Sequence, residues 1–238
     1  MRIITGIYKG RRFDIPRSFK ARPTTDFAKE NIFNVLNSYI DLEGVRALDL
    51  FAGTGSISLE LLSRGCSQVV SVEADRDHAR FIGECVRKLG VTNHQLIRGD
   101  VFRYLKSAQK SSTLSRGSAA LPAAQQPYTA EDPYTPQSGH ARGSAALPAA
   151  QQPYTAEGPY TPQSGHARGS AAFSFIFADP PYALPNLPDI PDLVLQSGIL
   201  VPGGVFVFEH GKQNDFSSHP CFREHRAYGS VNFTIFTT

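Results

Sequence analysis

The sequence has few cysteines and no long apolar run, and each shortage removes a class of protein. Cys66, Cys85 and Cys221 are odd in number, far apart and outside any CxxC spacing. Neither a disulfide framework nor a zinc or other metal site is expected, and a reducing cytoplasm fits. No stretch approaches the roughly 18 apolar residues of a membrane span, and the polar, charged N-terminus does not read as a signal peptide. A soluble cytoplasmic chain without a membrane partner is expected. Acidic residues are scarce in one place. Residues 1–22 carry Arg2, Lys9, Arg11, Arg12, Arg17, Lys20 and Arg22 against Asp14 alone, although the whole chain is only +3. Such a cluster concentrates a polyanion and makes its binding salt-dependent, so nucleic acid is the natural partner. A solvated basic face is the plainer alternative.

The middle of the chain is repetitive. Residues 116–141 recur at 142–167, with Asp132 of the first copy answering to Gly158 of the second, and a third copy begins at Arg168. The unit is rich in Pro, Ala, Gln, Ser and Thr and has one Leu as its aliphatic anchor. It buries too little apolar surface to offset the entropy of ordering, and solenoid units carry several core positions each. Residues 109–172 therefore read as a disordered tandem-repeat insert, which leaves about 175 residues for one core.

Outside the insert, strand and helix signals alternate. Short apolar runs at 45–51, 68–73, 94–98, 173–178 and 205–209 suit buried parallel strands, and 56–63, 76–89 and 188–197 read as helices. The alternation predicts a doubly wound, mostly parallel α/β sheet. Ahead of it, residues 2–15 read as a hairpin turning at Lys9-Gly10. A helix follows from Asp26, with Ala28, Ile32, Val35, Leu36 and Tyr39 on one face. Residues 222–228 and 231–236 read as a closing antiparallel hairpin. The insert falls between the helix after the third strand and the fourth strand, so it leaves from the edge opposite the one where such sheets bind ligands.

Three strand ends carry groups that suit a nucleoside. Asp49-Leu50-Phe51-Ala52-Gly53-Thr54-Gly55 ends a strand and opens a helix, its glycines letting the backbone turn tightly and approach a ligand. Glu73 ends the next strand, where a carboxylate can accept both hydrogen bonds of a ribose diol. Asp100 follows the third strand and can take an adenine amine, with Val101 beside the ring; helix capping is the plainer role for either acid. Ser58 stands where a dinucleotide motif wants its third glycine. Asp49 would repel a pyrophosphate but suits a cationic amino-acid end. S-adenosylmethionine fits these demands.

The fourth strand delivers Asp179-Pro180-Pro181-Tyr182 to the same edge. Two prolines stiffen the backbone, leaving the Asp179 carboxylate and the Pro180 carbonyl as acceptors while Tyr182 offers a flat face to a base. An exocyclic amine held between two acceptors would point its lone pair at a methyl sulfonium, so catalysis would be mostly positioning. A proline-rich turn with Asp179 capping and Tyr182 packing is the bland reading.

Together, DLFAGTG, the Glu73 strand end, Gly99-Asp100 and DPPY resemble the motif series of amino-group S-adenosylmethionine methyltransferases. Arg2-Ile3-Ile4-Thr5-Gly6, Gly10-Arg11-Arg12, Arg22-Pro23-Thr24-Thr25-Asp26 and Phe33-Asn34-Val35-Leu36 narrow this. They resemble the bacterial RsmD family, which methylates N2 of a guanine in 16S ribosomal RNA. The resemblance covers 1–108 and 173–238. It implies a Rossmann-like class I methyltransferase fold, with residues 1–40 an RNA-facing extension and 41–108 with 173–238 the cofactor-binding domain. It also implies that Asp49, Phe51, Gly53, Gly55, Glu73, Asp100 and Val101 hold the cofactor, that Arg22-Pro23-Thr24 closes over its methionine end, and that Asp179, Pro180, Pro181 and Tyr182 take the guanine. Arg2, Lys9, Arg11, Arg12 and Arg22 would grip phosphates of 16S RNA or of a small-subunit assembly particle, and the enzyme would be a monomer. The chain departs from the family pattern at Thr5-Gly6 and Phe27, where the family commonly carries Gly-Gly and Arg. Two other readings stay open: an amino-methyltransferase acting on DNA adenine N6 or another RNA, and an inactive nucleic-acid-binding module with the repeats as a tether.

Overall fold

The computed structural model describes residues 1–19, 25–114 and 172–238. The expectations for Lys20, Arg22, Pro23, Thr24 and the repeat positions 115–171 lie outside the described residues. Helix α1 spans Asp26–Leu36; then follow β1 (Arg46–Leu50), α2 (Ser56–Ser63), β2 (Gln68–Glu73), α3 (Arg76–Leu89), β3 (His94–Arg98) and α4 (Val101–Leu114). The chain resumes with β4 (Phe173–Ala178), a 3-10 turn (Leu187–Asp189), α5 (Ile190–Gln196), β5 (Leu200–His210), β6 (Phe222–Tyr228) and β7 (Val231–Thr237). One seven-stranded sheet has the order β3-β2-β1-β4-β5-β7-β6. β1 to β5 are parallel, and β7 runs antiparallel to both β5 and β6. The doubly wound sheet and its closing hairpin are thus as the alternation predicts.

Strand alternation divides the core between two faces. Ala47, Val69, Phe175, Phe177, Val207 and Phe233 pack with residues of α1, α2 and α3. Leu48, Leu50, Val70, Ile176, Phe206 and Phe236 pack with Val101, Leu105, Ile190 and Val194 of α4 and α5. The order reverses between β1 and β4, which pair with Leu50 opposite Ala178. Sheets of this kind open a ligand crevice at the carboxyl ends beside such a reversal.

Four boundaries differ from the sequence reading, each for a local reason. Residues 109–114 belong to α4, not to the insert. Asp100 caps this helix and Val101 and Leu105 dock it on the sheet, so its polar last turns continue at little cost in propensity. β5 begins at Leu200 because a β-bulge opposite Phe173 and Phe175 accommodates Pro202-Gly203-Gly204, with Gly203 at φ 75°. The fifth helix starts at Ile190, after a 3-10 turn containing Pro188; Pro191 in its first turn loses no helical hydrogen bond. The N-terminal hairpin shrinks to one antiparallel bridge, Arg2 with Arg12, around a tight turn.

Backbone bonds join the two sides of this hairpin, from Ile3 N–H to the Arg11 carbonyl at 3.0 Å and from Phe13 N–H to the Met1 carbonyl at 3.0 Å, while residues 4–8 between them bond to α2. Ile4 and Thr5 donate their N–H groups to the Glu60 carboxylate at 2.8 and 3.0 Å. Ile7 N–H donates to the Ser63 carbonyl at 2.8 Å, and Tyr8 N–H to Ser63 Oγ at 3.0 Å. Gly6, at φ 85°, packs so closely that a Cβ there would lie 1.8 Å from the Ser63 oxygen. With the sheet beneath and the arm above, all eight residues of α2 are buried. Ile3, Phe13, Ala28, Ile32 and Phe33 share the main core, so the described residues 1–19 and 25–40 are built into the domain. α4 and β4 run in opposite senses, so residues 114 and 172 both stand at the amino edge of the sheet. Among the described residues no helix is long and apolar enough to cross a membrane.

Candidate active site at the strand ends

The turn after β1 is shaped by its backbone. Phe51 adopts φ 62°, a strained value for a bulky residue, and Gly53 and Gly55 adopt 55° and 76°. The two glycines serve different ends. A Cβ on Gly55 would meet Ile82 Cγ1 at 2.9 Å, so this glycine lets α2 pack on α3. A Cβ on Gly53 would meet no protein atom nearer than the Phe51 oxygen at 3.8 Å, which leaves room for a ligand over the turn. Phe51 also meets Phe102 edge-on at 6.3 Å, an aromatic the sequence reading passed over because it sits one place beyond Val101.

Asp49 is 1% exposed and faces α2. Its Oδ2 accepts from Ser58 N–H at 3.0 Å and from Ser58 Oγ at 2.5 Å, taking the capping role that Gly55 cannot supply. Ser58 Oγ lies 2.6 Å from Ser71 Oγ, which lies 2.7 Å from His94 Nε2, so one chain of hydrogen bonds joins β1, α2, β2 and β3. Burial pushes the Asp49 carboxyl up to about 7, against the Ser58 bonds, which favour the anion, while the nearby Glu73 charge adds to the rise. Burial also pushes His94 down to about 4.

Glu73 lies at the end of β2, as predicted, with both oxygens engaged. Oε2 accepts from Gly53 N–H at 2.6 Å and Oε1 from Asp75 N–H at 2.7 Å. The carboxylate thereby ties the turn to the second strand end and keeps further lone pairs for hydroxyl donors. Asp100 stands after β3 and accepts from Arg103 N–H at 2.9 Å, the capping role, while remaining exposed. Val101 is 3% exposed and packs in the second core, so it meets its helix neighbours and presents no open face to a ring.

The fourth strand end reaches the turn directly. Asp179 N–H donates to the Leu50 carbonyl at 3.4 Å, so DPPY begins one residue from Phe51 in space. Asp179 is half-buried, Pro180 buried, and Pro181 and Tyr182 exposed. The Tyr182 hydroxyl donates to Glu209 Oε1 at 2.9 Å, and Glu209 is buried at the end of β5. The phenol is pushed well above its usual range by burial first, then by Glu209. The hydroxyl is therefore anchored while the ring, 39% exposed in all, stays accessible. Nothing about Glu209 in the sequence marks it, since a strand-end acid gains this part only when β5 lies beside β4.

A second group the sequence did not reveal ties the arm to the turn. Lys29 is fully buried on α1, donating to the Arg2 carbonyl at 2.7 Å and to Ser56 Oγ at 3.1 Å, with Glu60 Oε2 at 3.5 Å. Burial lowers its pKa, opposed mainly by the Glu60 charge. Arg64 completes the cluster, 3.1 Å from Glu60 Oε1 and stacked over Phe33 at 4.4 Å. Of the basic arm, Lys9, Arg11 and Arg12 are exposed, and Arg2 is half-buried beside Asp26 at 3.2 Å. Arg11 and Arg12 line a cavity of about 410 Å³ with Glu84 and Lys88. Those α3 residues lie toward the amino ends of the strands, so this basic surface flanks the domain away from DPPY.

The fold is the Rossmann-like one found in class I methyltransferases. The hypothetical protein TTHA0928 of Thermus thermophilus superposes over 100% of this chain and 99% of its own, with TM-score 0.67 and 23% identity. An O-methyltransferase from Bacillus cereus, solved in complex with SAH, superposes over 92% of this chain and 84% of its own, with TM-score 0.52 and 11% identity. The chain belongs to the family described as Conserved hypothetical protein 95, whose model matches residues 1–115 and 159–237. It is 41% identical to YlbH of Bacillus subtilis over 118 residues, 49% of this chain and 63% of that protein. It is 34% identical to Ribosomal RNA small subunit methyltransferase D of Escherichia coli K12 over 112 residues, 47% of this chain and 54% of that protein. The chain thus spans a little over half the length of these curated relatives.

Proposed function

We propose that the chain transfers a methyl group from S-adenosylmethionine to the exocyclic N2 of a guanine in 16S ribosomal RNA. The observation that carries this reading is the bond from Asp179 N–H to the Leu50 carbonyl, which sets DPPY against the glycine turn. The open space over Gly53, the acids Asp49, Glu73 and Asp100 at successive strand ends, and the Phe51–Phe102 pair suit a nucleoside with a cationic amino-acid end. S-adenosylmethionine supplies an electrophilic methyl on sulfur. Glu73 would accept from ribose hydroxyls, Asp49, sealed against α2, would supply negative charge beneath the turn toward the cationic amino-acid end, and Phe51 with Phe102 would flank the base. Asp179 and the Pro180 carbonyl would accept from the target amine, leaving its lone pair directed toward the cofactor, and Tyr182, held by Glu209, would stack on the base.

The name of the Escherichia coli relative and the RPTTD and basic-arm resemblance support ribosomal RNA as the substrate class. The partner would be 16S RNA or a small-subunit assembly particle in the cytoplasm, gripped by Arg2, Lys9 and Arg22 and, where the RNA runs past the flank away from DPPY, by Arg11 and Arg12, with Thr24 closing over the cofactor. Residues 115–171 take no part in the chemistry in this reading. The test is a labelled-methyl assay against small ribosomal subunits, free ribosomal RNA and duplex DNA, run beside Asp179→Ala. Label in guanine N2 of the RNA, lost in the variant, is expected. Label in DNA alone overturns the RNA assignment.

A further inference from the structure

Among the described residues, the large apolar side chains left exposed are Ile7, Phe27 and Tyr182, and the sheet brings the two aromatics to one edge. β7 runs back from the carboxyl end of β5, pairing Glu209 with Phe233 and His210 with Asn232. β6 then pairs Arg226 with Phe233 and Tyr228 with Val231. The 226–231 turn therefore stands at the same edge as Glu209, which holds the Tyr182 hydroxyl. Phe27, in the first turn of α1 and 66% exposed, meets the Tyr228 ring edge-on at 6.2 Å. Tyr228 is itself fixed against the core ring of Phe233 at 6.1 Å. From β5 to β6 is two strand spacings, about 10 Å.

Cations border this pair. The Arg226 side chain is 47% exposed beside Glu224, and Arg2 lies 3.2 Å from Asp26 at the start of α1. Each guanidinium has five donors, so an intramolecular ion pair leaves some for a phosphate. Two aromatic faces along one edge with arginines beside them match a single-stranded nucleic acid, whose bases stack and whose backbone is anionic.

We propose that Phe27 and Tyr228 form a second stacking platform, for an unpaired base of the RNA strand whose target base lies on Tyr182, with Arg2 and Arg226 contacting the intervening phosphates. The proposal rests on the reading above that the substrate is RNA, and adds that the enzyme reads it as a splayed single strand.

The test is fluorescence titration of the full chain with a 12-nucleotide single-stranded RNA containing 2-aminopurine, beside its duplex and the same sequence as single-stranded DNA. The single strands are expected to bind better than the duplex, with RNA ahead of DNA. Phe27→Ala is expected to weaken single-strand binding by about 5- to 100-fold, Phe27→Tyr to retain it, and Arg226→Gln to lower the slope of log affinity against log salt by about one. Binding of S-adenosylhomocysteine by calorimetry should be unchanged in all three, which excludes misfolding. Equal binding by Phe27→Ala, a preference for duplex, or no oligonucleotide binding by the unaltered chain overturns the platform. Loss of oligonucleotide binding in Phe27→Ala with no methyl transfer to any RNA would leave the platform standing and overturn the catalytic reading instead.

Discussion

Around the glycine turn the polar groups are buried and bonded to one another, whereas beyond the end of β4 and on the outer strand of the C-terminal hairpin Tyr182 and Arg226 are exposed. Asp49, Ser58 and Ser71 are sealed within a chain of hydrogen bonds, and Lys29 and Glu60 are fully buried beneath the arm. Asp179 is half-buried, and Pro181, Tyr182, Phe27 and Arg226 are exposed. The first region has its geometry set in advance, so a cofactor would find little left to order. The second keeps its rings and its strand-end acid at the surface, as a site for a large partner requires. Substitutions in the first should disturb folding and cofactor binding together, while those in the second should disturb turnover with the fold intact.

The sharpest test of that division is Asp179→Ala. It should lower methyl transfer by about 10²- to 10³-fold, as loss of one positioning contact does, with S-adenosylhomocysteine affinity unchanged; a matching loss of cofactor affinity would erase the distinction. On the buried side, Lys29→Met should cost about 3 kcal/mol in urea unfolding, because Glu60 loses one of its two cationic partners inside the protein. A change under about 0.5 kcal/mol would show that Arg64 alone neutralises Glu60.

A third test uses pH. The Asp49 carboxyl is raised to about 7 in the fold, whereas an unfolded aspartate ionises near 4. Between those values the folded chain binds the extra proton, so the Asp49 contribution to stability falls as pH rises from about 4 through about 7, and the difference between the unaltered chain and Asp49→Asn should follow that fall. Cofactor binding needs the anion and should run the other way, weakening about tenfold from pH 7.5 to pH 6 by calorimetry and losing this dependence in Asp49→Asn. Glu73 and His94 face the same network; His94, lowered from 6.5 to about 4 by burial, adds a slope of the opposite sign below about 6.5, which cancels when the unaltered chain is compared with Asp49→Asn, and it is neutral between pH 6 and 7.5. The smallest effect belongs to neither region. Replacing residues 115–171 by a short Gly-Ser linker should leave methyl transfer within about twofold, since both junctions lie at the amino edge. A larger loss would give the repeats a part in catalysis.

Much of this architecture was legible from residue order alone, for physical reasons that individual residues make plain. Apolar runs such as VVSVE and FSFIFA can be buried on both faces only as inner parallel strands, so the doubly wound sheet follows from them. Gly53, Glu73, Asp100 and Asp179 could be grouped from residue order because each stands at or just beyond the end of such a strand, and strand ends in this topology converge. Where strand ends meet side chains from distant segments, local pattern is silent. Asp49 turns toward Ser58 because α2 has a glycine at its cap. Lys29 is buried because the arm folds over α2 and leaves Glu60 to be neutralised. Glu209 and Phe27 join the site edge only because β5 lies beside β4 and β7 brings β6 back. Residue order determined which strands form and which acids end them, because those depend on neighbours a few positions apart. The tertiary structure alone decided which polar groups are sealed and which aromatics stay open, because that depends on contacts between segments up to about 200 residues apart in the chain.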